Sequence, residues 1–296
     1  MNTAEKWPVQ DRGYALLIVL WFLMTISAVS IVMLTNARSE TALANNVKSA
    51  AVAEALADVG VARAAFNEMN PVRGERWDTD GETHRIQVSG GAIDISITDE
   101  DQKINPNHAS DALLASLFEA AGVDRTRAKR LGAAVADWVS PDGPPREFGA
   151  KLDQYRAAGR SYGPANAPFE SLDDLQLVLG MTPEVFSAVR PYLTIFTDSS
   201  EPKAKTLPPI VRRALAIASH KDENEGDDTA SPQSPLSAPS TAEGSDDAEK
   251  KPVIEVRSTA KSVSGGTFVR IAVLRLHTED ASGYAVLDWR RGQLDN

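Results

Sequence analysis

The feature that most limits what this chain can become lies near its N-terminus. Between Arg12 and Arg38 no side chain is charged, and the heart of the stretch, Tyr14 to Leu34, reads YALLIVLWFLMTISAVSIVML. As an α-helix its 21 residues would reach about 32 Å, the thickness of a bilayer's hydrocarbon core. Thr25, Ser27 and Ser30 can return their hydroxyls to the preceding helical turn, so they do not forbid a span. A secretory signal peptide needs a shorter apolar core followed by a small-x-small cleavage site. Here the run is too long, and Thr35-Asn36-Ala37-Arg38-Ser39-Glu40 continues as helix-compatible sequence. The flanking cations, Lys6 and Arg12 before the span and Arg38 and Lys48 after it, are balanced, so the positive-inside rule assigns no orientation.

Helical character does not stop at the membrane. From Ser39 to Asn70 there is no Pro, Gly60 is the only Gly, and ten alanines lie between Thr41 and Phe66. Val52, Leu56, Val59 and Phe66 recur near helical spacing among Glu40, Lys48, Glu54 and Asp58. The span and this amphipathic part are expected to form one helix of over 50 residues, ending near Asn70-Pro71.

Composition removes several classes of function. The chain has no cysteine, which excludes disulfide frameworks, thiolate zinc sites and cysteine nucleophiles. Net charge is −10, which speaks against nucleic acid as the main partner. Nine acidic and no basic residues lie between Asp222 and Glu249, leaving the rest of the chain near −1. That acidic segment has one large aliphatic residue, Leu236, too little apolar surface to offset the entropy of ordering. Residues 222–252 are therefore expected to be a disordered insertion. The four histidines, His84, His108, His220 and His277, form no ligand pair, and no phosphate loop, nucleophile elbow or paired-carboxylate motif is present. No enzymatic activity is expected.

The remaining sequence alternates between strand and helix patterns. Arg85–Ser89 and Ala92–Ile97 alternate in polarity around Gly90-Gly91 and read as a hairpin. Ser110 to Val139 reads as helix–Gly122–helix, and Ser171 to Leu193 repeats that shape around Gly180. Each looks like a helix-hairpin-helix unit. Pro208 to Ser219 reads as another helix, and Val253–Arg257, Thr267–Leu276 and Tyr284–Trp289 as three strands. Strands on both sides of a helical block imply an α+β fold.

Specific residues carry a resemblance. A short polar leader ends in Arg12-Gly13, and the apolar helix begins at Tyr14. This is similar to type IV prepilins, in which a membrane peptidase cuts after the Gly. The fifth position after that bond, a Glu in most pilins, is Ile18. Farther along stand Asp99-Glu100-Asp101-Gln102-Lys103-Ile104-Asn105; then Asp137-Trp138-Val139, Asp142, Arg146, Gly149-Ala150 and Tyr155. Asn166, Pro168, Ser171-Leu172, Leu175, Val178, Gly180-Met181-Thr182-Pro183 and Pro191-Tyr192-Leu193-Thr194 follow. From Gly13 to about Thr197, and more weakly to Gly292, this pattern resembles protein K of the type II secretion system, a minor pseudopilin family that typically lacks the fifth-position Glu.

The resemblance implies a domain plan. Residues 1–13 would be a prepilin leader, cut between Gly13 and Tyr14; 14–34 the transmembrane part of a pilin-like stem; and 35–70 its periplasmic part. The antiparallel-sheet pseudopilin domain would take its first strands from 71–102 and its last from 253–296. Between them would lie an inserted all-helical domain at 103–197, a return segment with a helix at 198–221, and the acidic insertion. The implied role is capping a periplasmic pseudopilus in a Gram-negative bacterium and supporting export across the outer membrane. The implied partners are the other minor pseudopilins, the prepilin peptidase and the inner membrane, with the bulk of the chain periplasmic. Leu43, Val47, Val52, Leu56 and Val59 would supply the stem's contact face, away from the head's core. Alternatives are a minor pilin of a related type IV pilus and a membrane-tethered helix-hairpin-helix DNA-uptake receptor using Arg125, Arg127, Lys129 and Arg130.

No cofactor is expected. Calcium is the one alternative, since protein K relatives often carry an Asp two residues before the position of Asp142 and a Glu after the Gly-Ala pair. Here those positions hold Ser140 and Lys151; an ammonium cannot ligate a metal and would repel one. Asp78, Asp80 and Glu82 are a second carboxylate group, read as a solvated turn.

Overall fold

A computed structural model describes residues 12–141, 143–204, 206–225, 252–276 and 283–294. Its first element, α1 (Arg12–Glu68), is a single helix of 57 residues, roughly 85 Å long at the α-helical rise. Thr25 donates to the Trp21 carbonyl (3.1 Å), Ser27 to Leu23 (2.8 Å) and Ser30 to Ile26 (2.8 Å), so the polar side chains of the apolar half are satisfied within the helix. The window Tyr14–Ile31 is apolar enough to cross a membrane, and none of it is buried by the rest of the chain.

The upper half of α1 packs on a five-stranded antiparallel meander, in the order β1 (Asp80–Val88), β2 (Gly91–Asp99), β3 (Val253–Ser262), β4 (Thr267–Leu276), β5 (Tyr284–Arg291). Alternation in β2 turns Ile93, Ile95 and Ile97 to the stem, where they meet Ala53, Ala57, Val61, Ala64 and Ala65. Small residues let the helix axis come close to the sheet. At Gly60 a Cβ would stand 2.1 Å from the Ser258 hydroxyl and 2.8 Å from Ile93. The stem's half of this contact begins at Ser49, which hydrogen-bonds Ser262 (2.9 Å) and the Gly266 amide (2.7 Å). Arg270 then clamps stem to sheet. It bonds Asp58 and Glu54, each at 2.7 Å, while its guanidinium lies over the rings of Phe268 and Trp289. The upper stem is thus one layer of the head's core. This corrects the expectation that Val52 and Leu56 are free for contact: both are half-buried, and Leu56 packs against the core cluster.

Residues 100–252 interrupt the meander between two strands that pair side by side, Asp99 opposite Ile254. This insertion has its own core, built from α2 (Asp111–Ala120), α3 (Arg125–Val139), α4 (Leu152–Ala157), α5 (Pro183–Val189) and α6 (Pro209–Glu225). Ser110, Asp124 and Thr182 cap α2, α3 and α5. Gly122 and Gly180 turn the two hairpins at positive φ, 94° and 88°, which an L side chain resists. The first arm of the second hairpin, Leu172–Leu177, is a 3-10 helix rather than an α-helix.

Two expected boundaries change. Val211 and Ala214 of α6 belong to the insertion's core, and α6 packs on α2, so this helix is part of the helical domain and not a separate return segment. Asp222–Glu225, expected in the disordered stretch, complete α6; the rest of that stretch, 226–251, lies outside the described residues.

Candidate functional site: the stem and the insertion loop

At the N-terminal end, α1 begins at Arg12, so the Gly13–Tyr14 bond lies in the first helical turn. Tyr14 and Ile18 are exposed, as is every large apolar side chain from Tyr14 to Ile31. Nothing among the described residues covers this segment, and such a continuous apolar surface suits lipid or other stems.

From Ala51 upward, the exposed apolar side chains of α1 follow one stripe. Ala51, Ala55, Val59, Ala62 and Phe66 are exposed and succeed one another at three- and four-residue steps, opposite the residues that face the sheet. Leu43 and Val47 are exposed but fall on another side of the helix at 100° per residue. The five residues expected to form one contact face therefore do not share one. Exposure of alternate alanines could be read from sequence only once the sheet-facing side was known.

The insertion leaves the sheet at a defined end. The Gly90-Gly91 turn and the β3–β4 turn lie beside Ser49, toward the membrane segment. Asp99 and Val253 lie at the opposite end, where Asp99 N donates to the Thr79 carbonyl, and where Met69, at the top of the stem, approaches Gly283. The start of the insertion is tied there to the segment that follows α5. Ile104 N donates to Tyr192 O (2.9 Å), Thr194 N to Ile104 O (3.0 Å), and Asn105 Nδ2 to Thr197 O (2.5 Å). Lys103, 9% exposed, reaches Glu100 (2.5 Å) and Glu255 of β3 (3.3 Å). Burial alone would lower its pKa; the two carboxylates outweigh it and hold it above the usual lysine value. The Asp99–Asn105 motif is thus a neck joining head and insertion.

The middle and late motifs are also structural. Trp138 stacks on Phe169, with ring centroids 5.7 Å apart. Tyr155 is fully buried, accepts the Leu179 amide at 3.0 Å, and burial pushes its phenol up to about 12. Arg127 spends its guanidinium on the Gly180 carbonyl and the Thr182 hydroxyl, fastening one hairpin to the other. His84 stacks on Trp77 at 4.7 Å, and His277 lies outside the described residues. In WDTDGE, Asp80 accepts the Glu82 amide at 2.9 Å, the bond of a local turn.

The loop after α3 holds the residues of the calcium alternative. The Asp137 carboxylate is held by the Arg146 amide (3.1 Å) and guanidinium (2.9 Å), and Gly149 packs so close that a Cβ would be 2.0 Å from Asp137 Oδ2. The Lys151 ammonium stands in the middle of the remaining loop oxygens: Asp137 O (2.8 Å), Ser140 O (2.9 Å), Pro141 O (3.1 Å) and Asn166 Oδ1 (2.9 Å). A positive side chain thus stands among these oxygens. Asp142 lies outside the described residues.

Comparison with known proteins agrees with this architecture. A family described as type II secretion system protein K matches residues 93–198. The chain is 29% identical to type II secretion system protein K of Klebsiella pneumoniae over 231 residues, covering 71% of this chain and 70% of that protein. It is 28% identical to the protein of the same name from Pectobacterium carotovorum subsp. carotovorum, covering 62% of each. Among solved structures, the fold matches a chain of the GspK-GspI-GspJ complex from the enterotoxigenic Escherichia coli type 2 secretion system. The TM-score is 0.56 at 15% identity, over 88% of this chain and all of that one. A stem with one membrane-spanning segment among the described residues, docked on an antiparallel meander, defines a membrane-anchored pseudopilin. The helical insertion between β2 and β3 narrows the class: the chain is similar to type II secretion system protein K, through the family match over residues 93–198 and relatives at 29% and 28% identity, and this similarity supports a minor pseudopilin of that system.

Proposed function

We propose that this minor pseudopilin caps a short periplasmic pseudopilus, with its head and insertion in the periplasm and its leader removed between Gly13 and Tyr14. The observation that carries the reading is where the insertion leaves the sheet. It emerges at the end of the head farthest from the membrane segment, near Met69 and Asp99, and so occupies the space another subunit's stem would need directly above. Ile18, in place of the usual Glu, deprives the stem of the carboxylate that pilin subunits are thought to offer a neighbour's N-terminal amine. Both features suit a subunit with neighbours below it and none above.

The partners follow from the same reading. The complex named for GspK, GspI and GspJ makes the corresponding minor pseudopilins the natural companions. The stripe Ala51, Ala55, Val59, Ala62 and Phe66 is the surface on which their stems would pack, since small side chains allow close helix approach. Val59 is half exposed and outside the core cluster. Val59→Asp should therefore leave the head folded and abolish co-purification with the other two minor pseudopilins from detergent-solubilised membranes. Recovery of the full complex with Val59→Asp would remove the stripe from the contact.

A further inference from the structure

The Lys151 side chain is 7% exposed, yet its ammonium touches no carboxylate among the described residues. Its four acceptors are three backbone carbonyls and one amide oxygen, at 2.8, 2.9, 3.1 and 2.9 Å. An ammonium has three N–H donors, so four oxygens converge on it in the way they surround an ion rather than in a one-to-one hydrogen-bond match. Two physical features make the cage cation-attracting before Lys151 enters it. The Asp137 carbonyl belongs to the last turn of α3, where unpaired carbonyls gather the negative end of the helix dipole. Asn166 holds its backbone at φ 53°, the left-handed region that Asn tolerates better than most residues, and aims its Oδ1 at the same point.

We infer that Lys151 is a built-in cation: its ammonium does for the Ser140–Gly149 loop what a bound metal ion would do, and locks the loop without one. The distances suit an ammonium and exceed calcium–oxygen bonds by roughly 0.5 Å. The four described cage oxygens carry no formal charge, which a monovalent group tolerates better than a divalent ion does. Asp137, at the end of α3, is already neutralised by Arg146, and Glu147, within the loop, is exposed. The same geometry makes the cage convertible. A shorter, negative side chain at 151 would vacate the centre, keep the four oxygens and add a carboxylate, which is a calcium-type ligand set.

Phe148, at the loop's outer edge and about half exposed, gives the reporter. Detergent-solubilised full chain is treated with chymotrypsin, and cleavage after Phe148 is timed in EDTA and in millimolar calcium chloride. Wild type should be cleaved at the same slow rate in both. Lys151→Met should be cleaved about tenfold faster or more in both, the effect expected from losing charged hydrogen bonds that close the loop. Lys151→Glu should be cleaved fast in EDTA and slowed back toward wild type by calcium. The inference is overturned if EDTA speeds cleavage of wild type, because a metal then closes the loop. It is equally overturned if Lys151→Met behaves as wild type, or if calcium leaves Lys151→Glu unprotected. Should Lys151→Met fail to fold, the wild-type and Lys151→Glu arms decide the matter alone.

Discussion

A Gly13→Val chain should remain in the membrane with its leader attached, and no mature form should be detected. The bond to be cut lies in the first turn of α1, so a peptidase must unwind that turn and draw an extended backbone into its site. Gly makes both steps cheap, having no Cβ and no preference for the helix. Val adds a branched side chain at the cleaved position, stiff at χ1. N-terminal sequencing of the wild-type chain from membranes should begin at Tyr14. A Gly13→Val chain that migrates at the mature size, or a wild type that begins elsewhere, would take away the prepilin reading of Arg12-Gly13-Tyr14.

The second large effect is expected at Gly60. A Cβ there meets the Ser258 hydroxyl at 2.1 Å and Ile93 at 2.8 Å, and neither neighbour can retreat because both strands are central in the sheet. Gly60→Val should cost about 3 kcal/mol or more, the upper range for overpacking a filled core. The damage should stay local. The stem–sheet core and the insertion's core are separate clusters, so denaturation should split into two steps, with only the stem–sheet step moved to lower denaturant. Adding Ser258→Gly to Gly60→Ala should recover part of the stability lost by Gly60→Ala alone. A single unshifted transition for Gly60→Val would mean that stem and sheet do not approach as closely as described.

Gly60 also marks the limit of what the sequence revealed. Its uniqueness between Ser39 and Asn70 is visible in the sequence; its reason is not, because the residue it must avoid lies 198 positions away, at Ser258. Periodicity located the long helix, the Gly90-Gly91 hairpin and β4, where each pattern is strong. It cut β3 short at Arg257, whereas the strand runs to Ser262. Ser258, Ala260 and Ser262 are buried, yet their small and polar character does not announce a core strand. They face the alanines and Gly60 of the stem, where large side chains would not fit. Leu172–Leu177 looked α-helical because its leucines are spaced for it; Ser171 and Asp174 cap each other across a tighter turn.

The candidate sites show the same division. Motif spacing pointed to Asp137, Gly149 and Tyr155 without showing that they brace a loop and a hairpin. Lys151 was legible as a residue that cannot bind a metal. That its ammonium sits inside an oxygen cage required coordinates, because three of the four cage oxygens are backbone carbonyls and leave no trace in the sequence. The stem stripe was misjudged for a related reason. Helical spacing alone cannot say which side of an Ala-rich helix the sheet will cover.

Position at the tip is the claim on which the functional account turns, and the absence of cysteine makes it directly measurable. Single cysteines would be placed at Ala62, on the exposed stem stripe, and at Lys129, on the outer surface of the insertion. Assembled pseudopili carrying a single-cysteine partner stem would then be oxidised and the cross-linked products identified. Cysteine at Ala62 should join this chain to the other minor pseudopilins, and cysteine at Lys129 should join it to no pseudopilin. A disulfide from position 129 to the stem of another subunit would place a neighbour above this one and contradict the tip assignment.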